Sequence, residues 1–184
     1  CRTLHTKRQM MHFSELLQTS YASAYNTTWK EQYFVRREIV DTDTFELCDK
    51  KNKMVQSPGK GVSRFLNPHK EEVEIIDFEH FVDQFTQALK AGQGKKCDFI
   101  LAPCLNQNFI ILNEVSHLWE KSLDQFREEK ESWGKTEKSF AQLKSSIEKL
   151  YCSKEIASRL DQAKMKVALF SVRFMRYDIR HTFL

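Results

Sequence analysis

KKCDFILAPCLNQNFIILNEVS, residues 95–116, is the stretch that decides the fold of this chain. It contains two runs rich in Phe, Ile and Leu, separated by a short segment that carries Pro103 and two asparagines. Strands with large apolar side chains flank such turn residues in β-hairpins. The stretch therefore predicts two strands joined by a turn near Asn106.

Two acids interrupt these apolar runs, at equal distances along the chain from Asn106: Asp98 and Glu114. If the turn is centred on Asn106, the two carboxylates are cross-strand partners on one face of the sheet, with Cβ atoms roughly 5 Å apart. Like charges so placed repel each other unless a cation joins them. Divalent ions such as Mg²⁺ or Mn²⁺ bind carboxylate oxygens, so the hairpin predicts a metal site.

The alternation of side chains along the second strand determines which residues accompany the acids. With a period of two, Glu114 and Ser116 share one face of the sheet. The opposite face carries Phe109, Ile111, Asn113 and Val115. An acid, a spacer and a third functional position therefore form one local pattern.

This pattern resembles the PD-(D/E)XK nuclease superfamily, whose motif is an Asp at one strand of a hairpin and an acid-spacer-Lys triplet on the next. Asp98 matches the first acid, and Glu114 matches the second. Cys97 stands where the family often has Pro, and Ser116 stands where the family has its Lys. The resemblance implies an α/β fold with a mixed central β-sheet flanked by helices, the restriction-endonuclease-like core.

The activity that the resemblance implies is hydrolysis of phosphodiester bonds in DNA by a metal-dependent endonuclease. Asp98 and Glu114 would hold Mg²⁺ or Mn²⁺, and Ser116 would at most orient water. A lysine elsewhere must then supply the missing positive charge. The candidates are Lys121, Lys135, Lys138 and Lys144, of which Lys144 has the best helical position, with Gln142 as a further polar candidate.

The order of predicted elements extends the resemblance to about residues 75–172. A helix is predicted over residues 77–91, with Asp77 as its N-cap. Two further helices and a buried strand are predicted at 136–150, 154–165 and 166–172. The family likewise places a helix before the Asp strand, and a helix followed by another strand after the acid triplet.

The rest of the chain predicts peripheral elements. Residues 9–24 show helical spacing, and residues 32–40 and 44–48 predict a second hairpin. Residues 50–68 form the longest loop-like section. Residues 118–133 carry apolar side chains among many charges and predict an amphipathic helix that caps the site or contacts a protein partner.

The whole-chain numbers set limits on function. A length of 184 residues suits a single domain, 1–184, in which an N-terminal helix and hairpin within 9–48 precede the nuclease-like core. The net charge of +4 permits DNA as a partner without requiring it. The five cysteines form no CxxC pair, which disfavours a zinc site and favours a reducing, cytoplasmic compartment. No run approaches the roughly 20 apolar residues of a membrane span, so no membrane partner is expected.

Other interpretations stay open at this point. A catalytically degenerate nuclease-fold module would bind nucleic acid or a protein, and the serine at position 116 favours it. The two acids would be structural if they were solvated or paired with Lys95, Lys96 or Arg173. An interaction domain of unrelated fold would bind a partner, or a second copy in a homodimer, through the helix predicted at 118–133.

Overall fold

The computed structural model describes residues 11–25, 30, 33–48, 54–85, 94–118 and 130–174. Within these residues the protein is a mixed α/β structure with a five-stranded mixed sheet, a three-stranded sheet and helices. The predicted mixed sheet is confirmed. Helices pack on one face of it, and the small sheet packs on the other.

The large sheet has the strand order β1 (Arg37–Val40), β5 (Val73–Asp77), β6 (Phe99–Pro103), β7 (Phe109–Leu118) and β8 (Met165–Phe174). The small sheet has the order β3 (Val55–Gln56), β2 (Thr44–Leu47) and β4 (Ser63–Leu66). Helix α1 starts with Phe13–Leu16, continues as a π-helical segment, Leu17–Tyr21, and closes with Ala22–Ala24. The other described helices are α2 (Phe78–Asp83), α3 (Lys130–Tyr151) and α4 (Lys154–Gln162).

The central hairpin is confirmed: β6 and β7 pair antiparallel, with Phe99 opposite Asn113 and Leu101 opposite Ile111. One residue beyond the first of these pairs, the same register brings Asp98 opposite Glu114. The turn is therefore centred on Asn106, the position that makes the two acids cross-strand partners. On its other side, strand β7 pairs in parallel with β8. The connection between these two strands runs through α3 and α4.

Burial on both faces explains why the hairpin strands are almost continuously apolar. Ile100, Ile110 and Leu112 belong to the core cluster formed with the helices. Phe99, Leu101 and Val115 belong to the cluster formed with the small sheet. The predicted alternation along β7 is thus confirmed, and the side chains of even-numbered positions face the helices.

The predicted elements around the hairpin are largely confirmed. Asp77 caps α2, because its Oδ1 accepts a hydrogen bond from the His80 N–H at 3.0 Å. The helix is shorter than predicted, since it ends at Asp83, and residues 86–93 lie outside the described part. Helices α3 and α4 and strand β8 occupy the positions predicted for two helices and a strand.

The second predicted hairpin is wrong. Strand β1 pairs with β5, and β2 pairs with β3 and β4, so the chain passes from the large sheet to the small one between Val40 and Thr44. An alternating pattern indicates a strand but does not indicate which strand pairs with it. Phe45 and Leu47 are buried between the two sheets, in the core cluster formed with the small sheet. The section 50–68, predicted as a loop, contributes β3 and β4.

The amphipathic helix predicted at 118–133 lies mostly outside the described residues. Leu118 ends β7 and α3 begins at Lys130, while residues 119–129 are not described. Among the helices that the structure describes, none combines the length and apolar character needed to cross a membrane.

Candidate functional site

The acid pair lies where α2, the hairpin and α3 meet. Asp98 directly precedes β6 and is 7% exposed, while Glu114 in β7 is 6% exposed. The Asp98 carbonyl accepts hydrogen bonds from the Phe78 N–H at 2.8 Å and the Glu79 N–H at 3.3 Å. Its carboxylate Oδ2 accepts one from the Val115 N–H at 2.6 Å. These bonds hold Asp98 against both the start of α2 and the neighbouring strand.

Glu114 is less well satisfied. Its Oε2 atom is buried and has no hydrogen-bond partner among the described residues. Burial, then the negative charges of Asp98 and Glu79, raise the pKa of Glu114 to about 8. A carboxyl in this environment holds a proton near neutral pH unless a cation compensates its charge.

Helix α3 packs against the segment that leads into the hairpin. The Gln142 amide donates to the Lys96 carbonyl at 3.0 Å, and the Ser146 hydroxyl accepts from the Cys97 N–H at 2.7 Å. A hydrogen bond from Gln142 and the positive charge of Lys138 act to lower the pKa of Glu114, although the raising effects dominate. The prediction that Gln142 faces the site is consistent with these contacts.

The remaining predicted site residues include Ser116 on β7 and Lys144 on α3, which differ in their position relative to the acids. Ser116 is half-buried in β7, two residues beyond Glu114 and therefore on the same face, with Val172 as its partner in β8. Lys144 is exposed on α3, roughly 200° around the helix from Gln142. Lys144 therefore lies on the side of α3 away from Gln142, and its role as the replacement lysine stays a prediction. Lys121 lies outside the described residues, and the side chain of Lys135 is not described.

Glu79 is a site residue that the sequence pattern did not single out. It lies in the first turn of α2, its N–H contacts the Asp98 carbonyl, and its charge acts on Glu114. The N-cap at Asp77 places Glu79 in that first turn. Its proximity to the acids, however, depends on how α2 packs against β6, which no local pattern encodes.

One structural interpretation of the acids is that Lys95, Lys96 or Arg173 pairs with them. The Lys96 ammonium contacts the carboxylate of Asp83 instead. Lys95 is exposed, and the side chain of Arg173 is not described.

A metal ion at this site would depend on the two acids together with water and substrate. The described residues contain no group of three or more His, Cys, Asp or Glu side chains arranged to hold a metal. Mg²⁺ commonly binds through one or two carboxylates, retains several waters and contacts a substrate phosphate. The unpartnered Oε2 of Glu114 opposite Asp98 fits that mode of binding.

The cysteines supply no alternative chemistry among the described residues. Cys97, Cys104 and Cys152 are free thiols. Cys97 lies next to Asp98, but it is fully buried, and burial raises the pKa of its thiol. A buried protonated thiol acts as a small apolar group and not as a nucleophile.

Comparison with known proteins does not identify a family for this chain. No protein-family model, no curated protein and no solved structure matches the chain.

Proposed function

We propose that this protein is a metal-dependent nuclease that hydrolyses phosphodiester bonds in DNA, with Asp98 and Glu114 as the ligands of Mg²⁺ or Mn²⁺. The observation that carries the proposal is the buried, unpartnered Oε2 of Glu114 on the strand position opposite Asp98. A buried carboxylate without a partner is costly, and a cation that binds both acids removes the cost.

A second buried acid in the same sheet provides the contrast. Glu74 in β5 is 1% exposed, and its carboxylate accepts hydrogen bonds from the Ser14 N–H at 3.1 Å and the Ser14 hydroxyl. Arg37 donates to it at 2.7 Å in a salt bridge. Glu74 has the partners that a structural buried acid requires. Glu114 has a hydrogen bond from Gln142, but its Oε2 atom has no partner among the described residues, which favours a role in ligand binding.

The arrangement of elements also supports the proposal of a restriction-endonuclease-like core. Helix α2 precedes the Asp98 position, the two acids lie on adjacent hairpin strands, and α3, α4 and β8 follow the acid triplet. This is the order that the resemblance predicts. The small sheet that covers the other face is an addition to it.

The protein residues have separate tasks in the proposed reaction. A bound Mg²⁺ would polarise the scissile phosphate and lower the pKa of a coordinated water. Asp98 is held in place by the Val115 N–H, which donates to its carboxylate, and by the start of α2, whose N–H groups donate to its carbonyl. Glu114 would give up its proton to solvent as the cation binds, and Ser116, further along the same face, would orient water.

The serine at position 116 favours a second candidate function, a catalytically degenerate module of the same fold that binds nucleic acid or a protein. In the family this position supplies a lysine, and a serine hydroxyl carries no positive charge. The two candidates share metal binding at the acids and differ in cleavage.

The test combines metal titration with a cleavage assay. Wild type, Glu114→Gln and the control Glu72→Gln, which changes an exposed acid outside the site, are titrated with Mg²⁺ or Mn²⁺ in a thermal-shift experiment and incubated with supercoiled plasmid. We expect metal-dependent stabilisation, about 2.7 kcal/mol at 100 times the Kd, in wild type and the control only. Nicking should follow the same pattern.

Each outcome distinguishes the candidates. Stabilisation without nicking supports the degenerate module, and nicking that persists in Glu114→Gln refutes a catalytic role for the acid pair. The absence of any metal response in wild type would mean that the two acids are structural.

A further inference from the structure

The face of α3 that contacts the hairpin carries polar side chains at intervals of one helical turn. Lys138, Gln142 and Ser146 are four residues apart, so they lie along one side of the helix. Gln142 and Ser146 are held by backbone atoms of Lys96 and Cys97, directly before Asp98. The register of α3 on the sheet is therefore fixed beside the acid pair.

The direction of α3 shows what lies next to Lys138. Further along the helix, Ile147 and Leu150 line an apolar cavity of about 190 Å³ together with Ile110 and Leu112 of β7. Gln142 precedes Ile147 and Leu150 in the helix, and it lies beside Glu114, which follows Ile110 and Leu112 in the strand. Helix α3 and strand β7 thus run in opposite directions. Lys138, one helical turn before Gln142, therefore lies towards the strand position of Ser116.

Lys138 is also available to a substrate. It is exposed, and it takes part in none of the salt bridges formed between the described residues. The other lysines near the hairpin differ in this respect. Lys96 is paired with Asp83, and Lys144 lies on the far side of the helix. Lys149 is buried several residues further along α3.

We infer that Lys138 supplies from α3 the positive charge at the Asp98–Glu114 pair that a lysine at position 116 would supply from the strand. The inference rests on the proposed nuclease function and assigns one of its residues. The Lys138 ammonium, on a flexible four-carbon stem, contacts the scissile phosphate and stabilises the negative charge that develops during phosphoryl transfer. The helix thereby replaces the strand as the source of the charge.

The test uses plasmid cleavage with four variants. Lys138→Met removes the charge, and Lys144→Met is the matched control on the same helix. Lys138→Arg retains a charge in different geometry. The double variant Ser116→Lys, Lys138→Met moves the charge to the strand.

We expect Lys138→Met to lower the cleavage rate about 10²–10³-fold, with metal-induced stabilisation retained because the metal ligands are unchanged. Lys144→Met should cleave at the wild-type rate. Lys138→Arg and the double variant should recover part of the lost rate, which a purely structural role for Lys138 would not allow. Equal rates for Lys138→Met and wild type, or no recovery in the double variant, would overturn the assignment.

A readout without cleavage separates this inference from the nuclease proposal. If wild type does not cleave DNA, the nuclease proposal fails, and the contact of Lys138 with a phosphate is judged by the binding of a DNA duplex at low salt. Removing a lysine that contacts a phosphate weakens binding and lowers its salt dependence, so Lys138→Met should bind the duplex more weakly than Lys144→Met. Equal affinities of Lys138→Met and Lys144→Met would overturn the inference.

Discussion

Replacing Glu114 with Gln should remove a large part of the pH dependence of stability in metal-free protein. In the fold, burial and the charges of Asp98 and Glu79 raise the pKa of Glu114 from its ordinary value of 4.5 to about 8. The fold therefore favours the protonated carboxyl. The stability that this protonated carboxyl contributes is fully present below about pH 4.5 and is lost as the pH rises through about 8.

The size of the effect follows from the shift. Each pKa unit corresponds to about 1.4 kcal/mol, so a rise from 4.5 to about 8 represents on the order of 5 kcal/mol of unfolding free energy. A glutamine has nearly the same shape and cannot ionise. At pH 5 the variant should be close to wild type in stability. At pH 9 it should be more stable than wild type by on the order of 2–4 kcal/mol.

The assay is urea unfolding of wild type, Glu114→Gln and Glu72→Gln at pH 5 and pH 9, with EDTA present throughout. Other groups titrate over this range, so the informative quantity is the change in the difference between variant and wild type. Glu72→Gln, at an exposed position, should follow wild type at both pH values. Parallel pH profiles for wild type and Glu114→Gln would refute the raised pKa and the reasoning that depends on it.

Two further predictions concern the scaffold around the site. Glu74→Ala should lower the unfolding free energy by about 3 kcal/mol, since it leaves Arg37 and the start of α1 without their buried acceptor, and urea unfolding at pH 7 measures the loss. A loss below about 1 kcal/mol would mean that solvent replaces the carboxylate. Gly61→Ala should cost about 1–3 kcal/mol, because its Cβ would overlap β2 and lie 2.9 Å from the Leu47 carbonyl oxygen. Gly59→Ala, where φ is +84° but the space is open, is the control that isolates backbone strain, and equal losses in the two variants would contradict the steric explanation.

The central hairpin was predictable because its information is local. Two apolar runs, a turn rich in asparagine and a period of two are sufficient to place Asp98 opposite Glu114 and to assign the two faces of β7. The cap at Asp77 was predictable for the same reason, since a capping side chain bonds to the backbone three residues away.

Errors arose where the partner of an element is distant in the chain. Strand β1 has a strand-like pattern, but its pairing with β5 depends on which buried faces meet, and no turn signal encodes that choice. The relation of Lys138 and Lys144 to the site, which stays untested, also depends on contacts between distant segments. Both are lysines on a predicted helix, and only the packing of α3 on the hairpin determines which one faces the acids.

The sequence by itself determined the hairpin, the positions of the acid pair and the flanking helices and strand, because these follow from spacing along the chain. Only the tertiary structure decided that the second sheet covers one face, that Glu79 approaches Glu114, and that Lys138 lies towards the acids while Lys144 does not. Those facts depend on contacts between segments far apart in sequence. Burial selects such contacts through the fit of whole surfaces, which local patterns do not specify.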